Sequence, residues 1–211
     1  PRTANNNVAP VGSEATHFYL YSDVERNTFD ACGSSQDAPV CVYLNNKTYS
    51  TTGCFQIKNT LNIFDDPNVA GGKVLGADGT AKGGNYVAQP LFRLTKDANN
   101  AAPALNIYYG EYESAQPHVE GVNDNGTALI AAQVAEAQAY IYGATLSNTG
   151  YGEAVSVTAG NVVLENCTVN NGVNFTGGAL ALSGKTDIAA PGVVLADGVV
   201  MNIDDLDATA S

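Results

Sequence analysis

Asn161-Val162-Val163-Leu164-Glu165-Asn166-Cys167-Thr168-Val169-Asn170-Asn171-Gly172 sets the grammar for the second half of the chain. An apolar strand, a small polar pair and a second strand closing near Asn or Gly recur in residues 139–148 (AYIYGATLSN), 179–188 (ALALSGKTDI) and 193–203 (VVLADGVVMNI). Leu164, Leu182 and Val200 lie 18 residues apart in turn, and Val155 and Val173 are again 18 apart. A fixed period of this length is the signature of a solenoid.

Upstream, residues 127–139 (TALIAAQVAEAQA) admit two readings. Ala, Gln, Glu and Leu are good helix formers, which favours a three-turn helix. Alternatively, residues 129–132 form the first strand of a rung, matching residues 155–158 and 173–176, with residues 134–138 as the bend. The strand is preferred, because the next three units carry the same two-strand order. Further back, short runs of alternating apolar residues closed by Asn, Gly or Asp read as strands: 18–21, 40–43, 42–49, 54–57, 60–66, 71–76, 91–94 and 105–109. Leu61-Asn62-Ile63 and Leu105-Asn106-Ile107 are the same tripeptide and read as one position in two coils. Residues 76–89 (GADGTAKGGNYVAQ) are Gly-rich and read as a surface excursion.

A rung of this kind has one apolar face and cannot stand alone. Stacking pairs each strand with its copy about 4.8 Å away and joins the inward residues into apolar columns. Val155, Val157, Val163, Val173, Phe175, Leu180, Leu182 and Val194 are the expected inward set, with amides of Asn166, Asn170 and Asn171 stacking beside them. The fold class expected is all-β: a single right-handed parallel β-helix of about 18–25 residues per rung over residues 17–203. Residues 1–16 are expected to be an extended arm and residues 204–211 an acidic tail, acting as caps or as joints to neighbouring modules.

Composition narrows the function. The 211 residues carry 9 basic and 21 acidic side chains, for a net charge of −12, so a phosphate backbone or anionic lipid surface is repelled and nucleic acid is not an expected partner. No apolar run approaches the roughly 20 residues of a membrane span, so membrane insertion is not expected. The chain starts Pro1-Arg2-Thr3 with neither Met nor a signal-like apolar stretch, and reads as a mature or excised piece of a secreted protein. Four sequons, at Asn46, Asn125, Asn166 and Asn174, lean the same way, toward an extracellular or cell-surface location.

The four cysteines allow three complete pairings. Cys32 and Cys41 flank a turn-rich loop that a disulfide could close, while Cys54 and Cys167 read as buried free thiols. Their spacing lacks the close pairs of a structural zinc site. Calcium is a minor option at Asp65 and Asp66 or at Asp204, Asp205 and Asp207, though neither set matches a calcium-loop motif, so no cofactor is expected. Tyr108, Tyr109, Tyr112, Tyr140, Tyr142 and Tyr151 fall near equivalent rung positions. The first five are the candidate glycan contacts, since an exposed aromatic row can stack on sugar rings.

The segments LNNKT (residues 44–48), LNIFDD (61–66) and GGKVLG (71–76) resemble the β-helical repeat regions of large surface proteins from gut-dwelling Gram-positive bacteria, with Asn46 where that pattern has glycine. Asn also tolerates positive φ, so the departure is small. The resemblance implies a pectin-lyase-like fold in a non-catalytic structural or adhesive module, with other copies of itself, neighbouring modules, or host or cell-wall glycans as partners. The alternative is a carbohydrate-binding protein or carbohydrate-active enzyme. Against an enzyme, the chain lacks the paired-aspartate, Gly-His-Gly and Arg-Ile-Lys motifs of polygalacturonases: its histidines are His17 and His118, and only Lys58 and Arg93 are basic residues in strand contexts suited to proton abstraction. The absence of a catalytic set makes a non-enzyme the expected reading.

Overall fold

A computed structural model describes residues 15–26, 30–32, 39–69, 71–79, 89–96, 102–117 and 127–206. No helix occurs among them. The chain passes through seven coils of three strands and opens an eighth. In order these are β1 (Thr16–Tyr19), β2 (Val24–Arg26) and β3 (Asp30–Cys32); β4 (Val40–Tyr43), β5 (Thr48–Thr51) and β6 (Phe55–Ile57); β7 (Thr60–Phe64), β8 (Lys73–Gly76) and β9 (Phe92–Leu94). There follow β10 (Ala104–Tyr108), β11 (Glu111–Ser114) and β12 (Ile130–Ala132); β13 (Gln138–Tyr142), β14 (Thr145–Asn148) and β15 (Val155–Val157); β16 (Asn161–Glu165), β17 (Thr168–Asn170) and β18 (Val173–Phe175). The last are β19 (Ala179–Gly184), β20 (Asp187–Ile188) and β21 (Val193–Leu195), then β22 (Asn202–Leu206).

Every third strand joins the same sheet. The first sheet has eight strands, β1 through β22, and the second and third have seven each, β2 through β20 and β3 through β21. All pairings are parallel, which makes the molecule a parallel β-helix. Residues 127–139 resolve in favour of the strand: Ile130, Ala131 and Ala132 pair with Val155, Ser156 and Val157, and residues 133–137 make the bend. Helix propensity loses because β12 lies between β9 and β15, where stacked strands satisfy every backbone group that a helix would leave without a ladder partner.

Alternation within each strand builds the core. In the first sheet Leu61, Leu105, Ala139, Val162 and Leu180 form one inward column, and Ile63, Ile107, Ile141, Leu164 and Leu182 another, each buried. The third sheet contributes Phe55, Phe92, Ile130, Val155 and Val173. Burying such a side chain stabilises by about 1.5–3 kcal/mol, so the solenoid is held by its columns rather than by any one coil. The identical tripeptides do sit in one register, with Asn62 opposite Asn106.

Three expectations are corrected. Leu164 and Leu182 are paired, but Ile203, not Val200, continues their column, because the last coil takes 21 residues rather than 18. Val163 faces outward between inward Val162 and Leu164, and Val194 sits opposite outward Asn174 while Val193 packs on the core. β22 runs to Leu206, which draws Asp204 and Asp205 into a strand. The 18-residue coil is the shortest; the intervals from Leu61 to Leu105 and from Leu105 to Ala139 are 44 and 34 residues, because loops are inserted between their strands.

Corners rely on left-handed backbone. Asn46 has φ of 57° and Asn166 of 54°, so Asn46 holds the left-handed conformation expected of it.

Candidate functional site

The outer face of the first sheet carries an aromatic column at the last position of its early strands. Tyr19, Tyr43, Phe64 and Tyr108 occupy one register line through β1, β4, β7 and β10. Their ring centroids are 4.4, 5.0 and 5.1 Å apart in turn, with interplanar angles of 7°, 19° and 4°. The strand spacing imposes this, since parallel in-register neighbours lie within stacking distance. His17 extends the group, its Nδ1 lying 3.2 Å from the Tyr43 hydroxyl. Further along, Tyr108 meets Tyr140 at 5.9 Å and 58°, and Tyr109 meets Tyr142 edge-on at 5.4 Å. Tyr140 donates to Glu165 Oε2 at 2.7 Å, and that hydrogen bond, with burial, pushes its hydroxyl up to about 12.

Of the five tyrosines picked out in the sequence, Tyr108, Tyr109, Tyr140 and Tyr142 therefore come together. Tyr112 does not. It stands in the inward column of the second sheet between Val74 and Leu146 and is 1% exposed, so it is a core residue and no glycan contact. The register pairs Glu111 with Thr145 and so sets Tyr112 opposite inward Leu146, where a shift of one residue would turn it outward. Tyr151, 56% exposed, lies in a turn away from this column. Tyr19, Tyr43 and Phe64 were missed by sequence reasoning. The signal that would have found them is an aromatic one residue after the paired apolar positions in each first-sheet strand.

Stacking limits what the column offers to a ligand. Tyr43 and Phe64 have an aromatic neighbour on both sides, so their faces are occupied and their edges point to solvent. Sugar rings stack on free aromatic faces, and among the described residues Tyr19, 46% exposed, ends the stacked column.

Beside the aromatic column runs a polar one. Asn106 Nδ2 donates to Asn62 Oδ1 at 2.9 Å, and Asn62 Nδ2 reaches the Cys41 sulfur at 3.5 Å. The amide ladder thus forms here. Asn166 and Asn171 instead bond to the backbone of the adjacent coil: Asn166 Oδ1 accepts from Lys185 N at 2.9 Å, and Asn171 Nδ2 donates to the Gly152 carbonyl. Cys41 is a free, buried thiol, which corrects the expected Cys32–Cys41 disulfide. Alternation is the reason: Val40 and Val42 pack on the core, so the Cys41 side chain stands on the outer face of the first sheet, whereas β3, which carries Cys32, belongs to the third. Cys54 and Cys167 are also buried and in no disulfide, and the Cys54 thiol donates to Gln89 Oε1 at 3.4 Å. Burial pushes the Cys167 thiol up to about 11, far from a nucleophile's range.

On the second sheet Lys73 bridges to Glu113, which also accepts from Thr149 Oγ1 at 2.8 Å. The Lys73 hydrogen bond holds the Glu113 carboxyl below its ordinary 4.5. A depressed folded value means that the stabilisation is present above the unfolded pKa and disappears as pH falls through the folded one. Glu113→Gln should therefore cost up to about 1 kcal/mol at neutral pH, given the partial exposure of the pair. Urea unfolding of both proteins should show the difference closing below pH 4.5; a gap that persists in acid would rule out the charge as its origin.

The residues weighed for catalysis are dispersed. Arg93 Nε donates to Gln133 Oε1 at 2.9 Å on the third sheet. Lys58 lies in the turn after β6, and His17 is on the first sheet; His118 lies outside the described residues. The Asp65 carboxylate accepts from Gly72 N at 3.1 Å and Asn46 N at 3.4 Å, and Asp66 Oδ1 accepts from Asn68 N at 2.8 Å, so both carboxylates cap turns. Among the described residues no three His, Cys, Asp or Glu side chains are grouped to hold a metal, and Asp207 lies outside them.

Two features remain near the C-terminal end. A shallow groove of about 370 Å³ is lined by Glu153, Asn171, Asn174, Pro191 and Val194, with Asn174 Nδ2 3.5 Å from Glu153 Oε1. Past it, β20, β21 and β22 are the last strands of their sheets among the described residues, and Val194, Leu195, Val200 and Ile203 are 46–78% exposed. No family model matches the chain, and no curated protein or solved structure matches it either.

Proposed function

We propose that this chain is a non-catalytic structural or adhesive module of an extracellular or cell-surface protein, a rigid rod whose surface rather than a catalytic pocket is its working part. The observation that carries the reading is how the outward side chains are used. Aromatic rings, amides and ion pairs on the outer faces bond from coil to coil, in the manner of Tyr43 on Phe64, Asn62 on Asn106 and Lys73 on Glu113. Such contacts stiffen the stack along its axis and leave those groups committed to each other. The groups suited to acid–base work lie on separate sheets or cap turns, whereas such chemistry requires them to converge on one substrate atom. Incubating the purified chain with neutral and acidic polysaccharides should release no reducing ends and no unsaturated uronate absorbance. Product above that of a heat-denatured control would replace the reading with an enzyme.

A second reading, a carbohydrate-binding module, is favoured by the groove at Glu153. A carboxylate and two carboxamides beside the apolar surfaces of Pro191 and Val194 combine hydroxyl-binding groups with a wall for a sugar ring. Glycan-array binding that is lost in Glu153→Gln would establish it.

A further inference from the structure

Two phenols on the outer face of the first sheet each have a base at the hydroxyl. The Tyr43 hydroxyl lies 3.2 Å from His17 Nδ1, and Tyr140 donates to Glu165 Oε2 at 2.7 Å. A phenol gives up an electron at moderate potential only if its proton leaves with it, so a hydrogen-bonded base turns a tyrosine into an oxidisable site. Both bases are already in place.

A continuous run of rings joins the two sites. β4 and β13 are three strand spacings apart, about 14 Å, and Phe64 and Tyr108 fill the interval. Centroid steps are 5.0 Å from Tyr43 to Phe64, 5.1 Å on to Tyr108 and 5.9 Å on to Tyr140, each an ordinary aromatic contact. On the other side of Tyr43 stands Tyr19, 4.4 Å away and 46% exposed. The chain has eleven tyrosines and no tryptophan, so no indole, which is oxidised more easily than a phenol, competes with this path.

We propose that the aromatic column of the first sheet is a one-electron relay, in which a one-electron oxidant of phenols takes an electron at exposed Tyr19 and the radical comes to rest on Tyr140. With nitrogen dioxide as the oxidant, Tyr19 loses an electron to form nitrite and loses its proton to water. An electron then crosses from Tyr140 by way of Tyr108, Phe64 and Tyr43, and Tyr19 recovers its proton from water. In the same step the Tyr140 proton moves to Glu165 Oε2, which leaves a neutral phenoxyl beside a neutral carboxyl. Tyr43 passes its own proton to His17 and takes it back as the electron goes by. Tyr140 is half-buried and Tyr19 is not, so the relay moves the radical from a rim where two chains can couple to a place where they cannot.

The relay goes beyond the structural reading and does not depend on it. The full chain is exposed to a low dose of nitrogen dioxide and its nitrotyrosines are mapped by mass spectrometry. A second nitrogen dioxide adds to the phenoxyl at the carbon ortho to oxygen, and loss of that carbon's proton restores the ring, so the nitro group marks where the radical rests. Accessibility alone ranks Tyr21, Tyr151 and Tyr19 first, at 73, 56 and 46% exposed. The relay makes Tyr140 the main product instead. Phe64→Leu removes a ring but keeps an apolar side chain, and should lower nitration of Tyr140 about tenfold while raising it at Tyr19. Phe64→Tyr should keep Tyr140 as the main site, and Glu165→Gln, a poor base, should cut its nitration as far as Phe64→Leu does. Circular dichroism melting shows that each variant is folded. Nitration in order of exposure, Tyr140 nitration indifferent to Phe64→Leu, or oxidation collecting on Cys41 beside the column would overturn the relay. All three would leave the structural reading standing, since the polysaccharide assay tests it separately.

Discussion

Phe92→Ala is expected to lower the unfolding free energy by about 3–5 kcal/mol, the range for emptying a buried aromatic site. Phe92 is fully buried near the middle of the stack, with its ring 5.1 Å from Phe55 and 6.0 Å from Tyr112. Its β-strand neighbours on both sides are fixed by ladder hydrogen bonds, so the backbone cannot close around the void. The loss is therefore the transfer term together with the cavity term. Tyr21→Ala, at a position 73% exposed, is the control and should move stability by less than about 0.5 kcal/mol. The chain has no tryptophan, so the urea transition is best followed by far-ultraviolet circular dichroism. A loss at Phe92 no larger than at Tyr21 would mean that this column is not packed as described.

The second large effect belongs to the backbone. Gly178 has φ of +85°, and a Cβ there would lie 2.3 Å from the Gly160 carbonyl oxygen. Gly160 is its counterpart one coil earlier, and Ala179 N donates to that same carbonyl at 2.7 Å. Gly178→Ala thus combines a left-handed conformation costing about 1–2 kcal/mol with overpacking of about 1–3 kcal/mol against a group that cannot move without breaking the ladder. The expected sum is about 3 kcal/mol. Gly198 separates the two parts: its φ is +76°, but a Cβ would meet nothing within 4 Å, so Gly198→Ala should cost only the conformational share. Equal losses at the two positions would remove the steric argument.

Both predictions concern columns that run along the axis, and columns were what the sequence showed best. The 18-residue step from Val155 to Val173, the repeated Leu-Asn-Ile tripeptide and the apolar alternation all report on a strand meeting its own copy, so they survive as real pairings. Where the argument leaned on exact register it failed. The inward places given to Val163 and Val194 and the outward one given to Tyr112 are all reversed, because a shift of one residue exchanges the faces of a strand. Asn166 and Asn171 do not stack amide on amide, since from their left-handed corners each side chain bonds to backbone of the adjacent coil.

The candidate surface was legible only in part. Tyr108, Tyr109, Tyr140 and Tyr142 could be grouped because they are close in sequence and in rung position. Tyr19, Tyr43 and Phe64 could not, since the loops between their strands differ in length and hide the common register. The free thiol of Cys41 and the groove at Glu153 depend likewise on which sheet each strand joins. By itself the sequence determined the all-β stacked architecture and the preference for strand over helix at residues 129–132, because period and alternation are local properties of the chain. Only the tertiary structure decided which rings stack, that the Cys41 thiol stays out of a disulfide and which face each strand's residues take. Those depend on the summed lengths of turns and loops, and each added residue there moves the next strand's register without leaving a mark in the strand itself.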